Sequence, residues 1–160
     1  MSVRQLGVPT GCVLGLVLMI GVSQAGAAGS TQVLKFHPGH MTQTAVGFNI
    51  NSNAAPPIGS QYVITVTLHN AAPQFGKPTG AQIGRVLIDC TFLSVNAPNG
   101  DGICTGIAHL PDGYVTFGGN GGFSNGKHGY WAVTGGVGHY ARDRGQLRTG
   151  GGTAVLTLYS

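Results

Sequence analysis

The sequence contains no glutamate, a single tryptophan and few charges of either sign. Charged residues make up 8% of its 160 residues, against about 25% in an average globular domain. Charge-driven disorder needs low hydrophobicity with high net charge, and a 42% hydrophobic chain of formal charge +4 has neither. Without Glu, paired-carboxylate chemistry would have to use the four aspartates alone. Asp101, Asp112 and Asp143 sit in turn-like contexts, where local backbone bonding is the ordinary role. Only Asp89 falls inside a strand-like segment. The eight Lys and Arg do not cluster: Arg4 stands apart, and the rest are spread from Lys35 to Arg148. No basic face for nucleic acid is expected from this distribution. No sustained helical period is present beyond the first thirty residues, so a helical bundle is excluded.

Glycine is plentiful instead, at 29 residues. Together with Val, Ile, Thr, Phe and Tyr in alternating runs, it points to short strands joined by tight turns. Strands are expected at Gln32–His37, Gln43–Ile50, Gln61–Asn70, Gln82–Val95, Gly102–Leu110, Tyr114–Gly118, Tyr130–Thr134, Gly145–Thr149 and Thr153–Tyr159. This spacing predicts an all-β, antiparallel barrel or sandwich, and a closed barrel would remove the edges that a weakly charged chain protects poorly.

Residues 1–27 have the three parts of a secretory signal peptide: Arg4, an apolar run from Gly11 to Val22, and Ala25-Gly26-Ala27 as a cleavage site. The run is shorter than the ~20 residues of a spanning helix, so removal is expected rather than anchorage. The expectation is a secreted domain over residues 28–160, with no membrane association after cleavage. Cys12 leaves with the signal. Cys90 and Cys104 then remain in an oxidising compartment, where a disulfide is expected.

That bridge sets a register between the two flanking strands: Arg85 meets His109, Val86 meets Ala108, Leu87 meets Ile107 and Ile88 meets Gly106. At the next turn, Pro111-Asp112-Gly113 suits a three-residue connection that puts Leu110 opposite Tyr114, His109 opposite Val115 and Ile107 opposite Phe117. Two faces result. One carries Val86, Ile88, Cys90, Phe92, Cys104, Gly106, Ala108 and Tyr114; the other carries Arg85, Leu87, Asp89, Thr105, Ile107, His109, Val115 and Phe117. The second mixes polar with apolar side chains, as a ligand cavity does. Alternation alone does not say which face is inside.

Three short motifs fail their context. Gly122–Gly126 fits a nucleophile elbow, but a strand-like segment follows instead of a helix. Gly121–Lys127 fits part of a phosphate-binding loop, but His128 replaces the Ser or Thr that would hold magnesium. Gly136-Val137-Gly138 lacks the third glycine of a dinucleotide fingerprint. His37 and His40, separated by Pro38-Gly39, fall short of a metal ligand set, and neither metal nor cofactor is expected.

Residues Gly129 to Arg148, GYWAVTGGVGHYARDRGQLR, resemble the C-terminal signature of the allene oxide cyclase and dirigent families. Ala132-Val133-Thr134-Gly135-Gly136-Val137-Gly138 matches the Ala-Val-Thr-Gly-Gly-x-Gly core of the cyclases, with Gly145-Gln146 downstream. Gly135, Gly136, Gly138, Tyr140 and Arg144-Gly145 are similar to the dirigent pattern. Upstream, Gly84–Ile88 and Gly113–Gly118 also fit, so the resemblance spans roughly residues 80–150. It implies an eight-stranded antiparallel barrel with an apolar lumen, commonly trimeric, that holds a reactive hydrophobic molecule in one productive conformation. A homotrimer and a small hydrophobic ligand are therefore the expected partners, and a cofactor-free isomerase or cyclase the expected enzyme class, with a non-catalytic binding barrel as the alternative. The plant cyclases use a lumen glutamate, which this chain lacks. Arg85 stands where their lumen cysteine does, which implies that the Arg85 face lines the lumen. His109 is then the expected proton shuttle, Arg85 the oxyanion stabiliser and Asp89 the orienting group or weak base, with Leu87, Ile107, Val115 and Phe117 holding the ligand.

Overall fold

A computed structural model describes residues 29–51, 54, 56–93, 102–120 and 129–160. The signal-peptide segment, the Pro98–Asp101 part of the turn before the fourth strand and the glycine-rich motifs of 121–128 lie outside these residues.

Eight antiparallel strands in chain order close on themselves: β1 (Thr31–Val46), β2 (Gln61–Asn70), β3 (Gln82–Phe92), β4 (Gly102–Leu110), β5 (Gly113–Asn120), β6 (Gly129–Gly138), β7 (Arg144–Gly150) and β8 (Thr153–Tyr159). β1 closes the barrel by pairing β8 through its first half and β2 through its second. The sequence suggests two strands here, split at His37–His40. The structure joins them with a bulge between Pro38 and Met41. Proline offers no amide to a ladder, so Pro38 ends one register and the bulge starts the next without ending the strand.

β3 and β4 pair in the expected register, with Arg85 opposite His109, Leu87 opposite Ile107 and Cys90 opposite Cys104. The two cysteines form a disulfide. The β4–β5 register differs by one residue from the expected one. Leu110 pairs with Gly113, His109 with Tyr114 and Ile107 with Thr116. Gly113, at φ +145°, adopts a conformation that side-chain-bearing residues avoid, so the strand resumes one residue earlier and only Pro111 and Asp112 form the loop. A one-residue slip reverses the face of every later side chain. Val115 and Phe117 accordingly lie on the opposite face from Ile107 and His109.

One barrel end is closed by the β6–β7 turn. Gly138, at φ +71°, redirects the chain, and Tyr140 tucks fully buried beneath the strands. A Cβ on Gly136 would run into the Tyr140 main chain and side chain, so this glycine permits the close approach. The Gly-Gly-x-Gly signature thus serves the barrel corner, a structural role. At the same end, the buried Asn70 amide donates to the carbonyls of Gln74, Lys77 and Pro78 at 3.0, 3.1 and 3.2 Å. These bonds organise the 71–81 loop, and Phe75 from it packs against the core.

Candidate functional site

The inner side chains leave a cavity of ≈250 Å³ in the barrel. Phe36, Val66, Leu68, Val86, Ile88, Ala108, Phe117, Leu147 and Leu156 form its walls. It reaches the β1 bulge at Pro38 and Met41 and the β7–β8 turn at Gly150 and Gly152. Among the described residues, none that lines it carries an ionisable side chain. Among the described lining residues, only Thr149 and Thr153 have polar side chains, and the Thr153 hydroxyl donates to the Gly150 carbonyl at 3.2 Å. Such a surface recognises apolar shape, and it can confine a flexible molecule to few conformers.

Trp131 is partly buried against the core and packs edge-on on Phe117, with ring centroids 5.7 Å apart and planes at 84°. Its indole nitrogen is buried and has no hydrogen-bond partner. The Tyr140 hydroxyl at the closed end is likewise buried and unpartnered. Burial pushes its pKa up to about 12, and the nearby Asp112 and Asp143 carboxylates add to the rise.

The residues expected to form the site do not share one compartment. Val115 and Phe117 face inward, at 0% and 1% exposure. Arg85, Leu87, Asp89, Ile107 and His109 are exposed on the outer face of β3 and β4. Their expected position in the lumen is corrected by this placement. The physical reason is desolvation: an apolar lumen offers no partner for a buried guanidinium or carboxylate. Strand rise places Arg85 and Asp89 about 13 Å apart, too far to neutralise each other directly. Leu87, Asp89 and Ile107 instead border an outer groove together with Val63, Thr105, Thr116 and Thr134. The Thr134 hydroxyl donates to the Thr116 hydroxyl there at 3.1 Å. His109 stacks at a tilt on Tyr114, with centroids 5.9 Å apart. Among the described residues, no cluster of three or more His, Cys, Asp or Glu side chains is arranged to hold a metal.

Sequence reasoning missed Trp131 and Thr149 as inner residues and assigned Val86, Ile88 and Ala108 to the wrong side. A usable signal was present. Disulfide-bonded and free cysteines are among the most buried residues, and Cys90 and Cys104 share their face with Val86, Ile88 and Ala108. Both cysteines are in fact 1% exposed.

No protein-family model matches the chain, and no curated protein matches it. Solved structures do. A pyocyanin demethylase is 22% identical with a TM-score of 0.57, the alignment covering 81% of this chain and 99% of that one. AbnU, an exo-specific intermolecular Diels-Alderase, is 15% identical with a TM-score of 0.60, covering 83% and 99%. The pterocarpan synthase dirigent protein PsPTS1 is 15% identical with a TM-score of 0.53, covering 83% and 93%. At these identities the likeness is one of fold, and in fold the chain is a closed eight-stranded barrel of the kind shared by dirigent proteins and cyclase barrels.

Proposed function

We propose that this protein is a secreted barrel that binds a small hydrophobic molecule in its lumen and steers that molecule's cyclisation or isomerisation by confinement. The observation that carries the reading is the apolar cavity of ≈250 Å³. The dirigent and Diels-Alderase likenesses support a barrel that guides ring formation. The disulfide, and the absence among the described residues of a helix long and apolar enough to cross a membrane, are compatible with secretion. The test is binding of an apolar fluorescent probe to the mature protein. Ala108→Phe, which projects a ring into the cavity, should abolish the signal while the barrel stays folded. A probe signal unchanged in that variant would place binding elsewhere.

A second reading is a carrier without chemistry. The apolar character of the described cavity wall favours it, because no described residue there can move a proton. Incubation with polyene substrates separates the two: a carrier returns them unchanged, whereas a cyclase gives one stereoisomer in excess.

The outer face is proposed to pack against further copies in a homotrimer. Leu87 and Ile107 are each 37% exposed and adjoin Val63 in the outer groove, which leaves apolar area to cover. Light scattering at micromolar concentration reads the mass, and a strict monomer refutes this part.

A further inference from the structure

We propose that Met41 is an oxidation site at the rim of the apolar cavity, where conversion of its thioether to a sulfoxide by hydrogen peroxide lowers the barrel's affinity for an apolar ligand. The inference rests on the lumen-binding reading above and adds a control to the same site.

The strand plan puts a methionine at the rim. Met41 pairs with Val66, which is buried and lines the cavity, so both side chains lie on the inner face. An inward residue flanked by strands on both sides would be buried. β8, however, pairs with β1 only from Thr31 to Phe36, and β1 continues past the Pro38 bulge with β2 alone. Among the described residues no strand covers the other flank of Met41, and its side chain is 46% exposed while lining the cavity. It meets solvent on one side and the lumen on the other.

Gln43, two residues on and so on the same face, donates its side-chain amide to the Met41 sulfur at 2.9 Å. A thioether is only a weak acceptor. A sulfoxide oxygen is a strong one, and the amide already stands beside the atom that would carry it. Few groups in the mature chain compete for the oxidant. Of three methionines, Met1 and Met19 fall in the expected signal peptide. Cys90 and Cys104 are already oxidised to a disulfide.

In the reaction the sulfur lone pair attacks one peroxide oxygen. The S–O bond forms as the O–O bond breaks, and the departing hydroxide takes the proton of the transferred oxygen and leaves as water. Sulfur loses two electrons and the peroxide gains them. The product replaces a flexible apolar group with a polar one. An apolar ligand at the rim must then displace water from the sulfoxide oxygen, and it offers no hydrogen bond in exchange.

The test treats the mature protein with hydrogen peroxide, reads the site by peptide mass spectrometry, and measures apolar-probe affinity on the same sample before and after. One added oxygen at Met41 and a loss of about tenfold in affinity are expected, with circular dichroism unchanged. Met41→Leu cannot form a sulfoxide, so the same treatment should change its own affinity by less than about twofold. Met41→Gln carries a polar group without peroxide and should show most of the loss untreated. The Gln43 side-chain amide signals, identified by their absence in Gln43→Leu, should move downfield in the oxidised protein. Met41 left unmodified by excess peroxide, an affinity that its oxidation does not change, a loss that comes with unfolding, or an equal loss in Met41→Leu overturns the switch and leaves the lumen reading standing. If the untreated protein binds no apolar probe, the lumen reading fails, and the switch with it.

Discussion

The two faces of β3 and β4 alternate residue by residue along the same backbone, yet they have little in common. Inward, Val86, Ile88, Cys90, Cys104 and Ala108 make a wall without charge, pinned by the disulfide. Outward, Arg85, Leu87, Asp89, Thr105, Ile107 and His109 mix charge, hydroxyl and apolar groups. The outer set has the composition of a reactive pocket, and the inner set that of an ordinary core. The comparison shows that a face becomes the interior because its burial is tolerable. Resemblance to an active site does not decide it.

The strongest way to break this contrast is to exchange polarity between neighbours. Ala108→Asp puts a carboxylate on the inner wall and should cost more than about 3 kcal/mol or prevent folding, since nothing there pairs with it. His109→Asp, one residue on, places the same group outside and opposite Arg85. It should change stability by less than about 1 kcal/mol. Urea unfolding of the two variants side by side is the measurement, and equal losses would refute the assignment of faces.

Removal of the bridge comes next. Cys90→Ala with Cys104→Ala opens a link between residues 14 apart in sequence. It should lower stability by about 3 kcal/mol in the loop-entropy account. Little change would mean that strand pairing alone already restrains that hairpin.

The closed end supplies a pH test of similar size. Burial raises the folded-state pKa of Tyr140 to about 12, from its ordinary value of 10.0. Between these values the unfolded chain gives up a proton that the folded chain retains, so stability falls as pH rises. Below pH 10 this group contributes no pH dependence. By pH 12 the loss is on the order of 2–3 kcal/mol. Tyr140→Phe removes the titration and an unpartnered hydroxyl, so its stability should decline less over that window. Parallel thermal-melt series at pH 9 to 12 decide it; identical slopes would show that Tyr140 does not titrate in this range.

The smallest expected effect sharpens the comparison most. Arg85→Ala and His109→Ala lie outside the cavity wall and should leave apolar-probe affinity within about twofold, as surface substitutions away from a site usually do. A tenfold loss in either would return the outer face to the site.

Much of the strand plan is legible in the sequence, because alternation and turn residues are local. Gln61–Asn70, Gly102–Leu110 and Thr153–Tyr159 coincide with strands in the structure. The β3–β4 register follows from one covalent constraint, Cys90 to Cys104, and that constraint is readable in a chain expected to be exported. Two local features were misread. Pro38-Gly39 looks like a turn but is a bulge, because β1 has a different partner on each side of it. Pro111-Asp112-Gly113 looks like a three-residue loop, but Gly113 already pairs with Leu110. The second error alone moved Val115 and Phe117 away from Val86 and Ala108, their companions in the buried core.

What the sequence determined by itself is the class of fold: weak charge, abundant glycine and period-two runs are properties of neighbouring residues, and they admit short antiparallel strands and little else. The glycine-rich signature near the C-terminus also announced the barrel corner, where Gly136 accommodates Tyr140 and Gly138 turns the chain at positive φ. Only the tertiary structure decided which face is inside. That choice depends on the desolvation of all eight strands at once, since Arg85 and Asp89 would meet an apolar wall built by β1, β2, β5, β7 and β8 as well as their own.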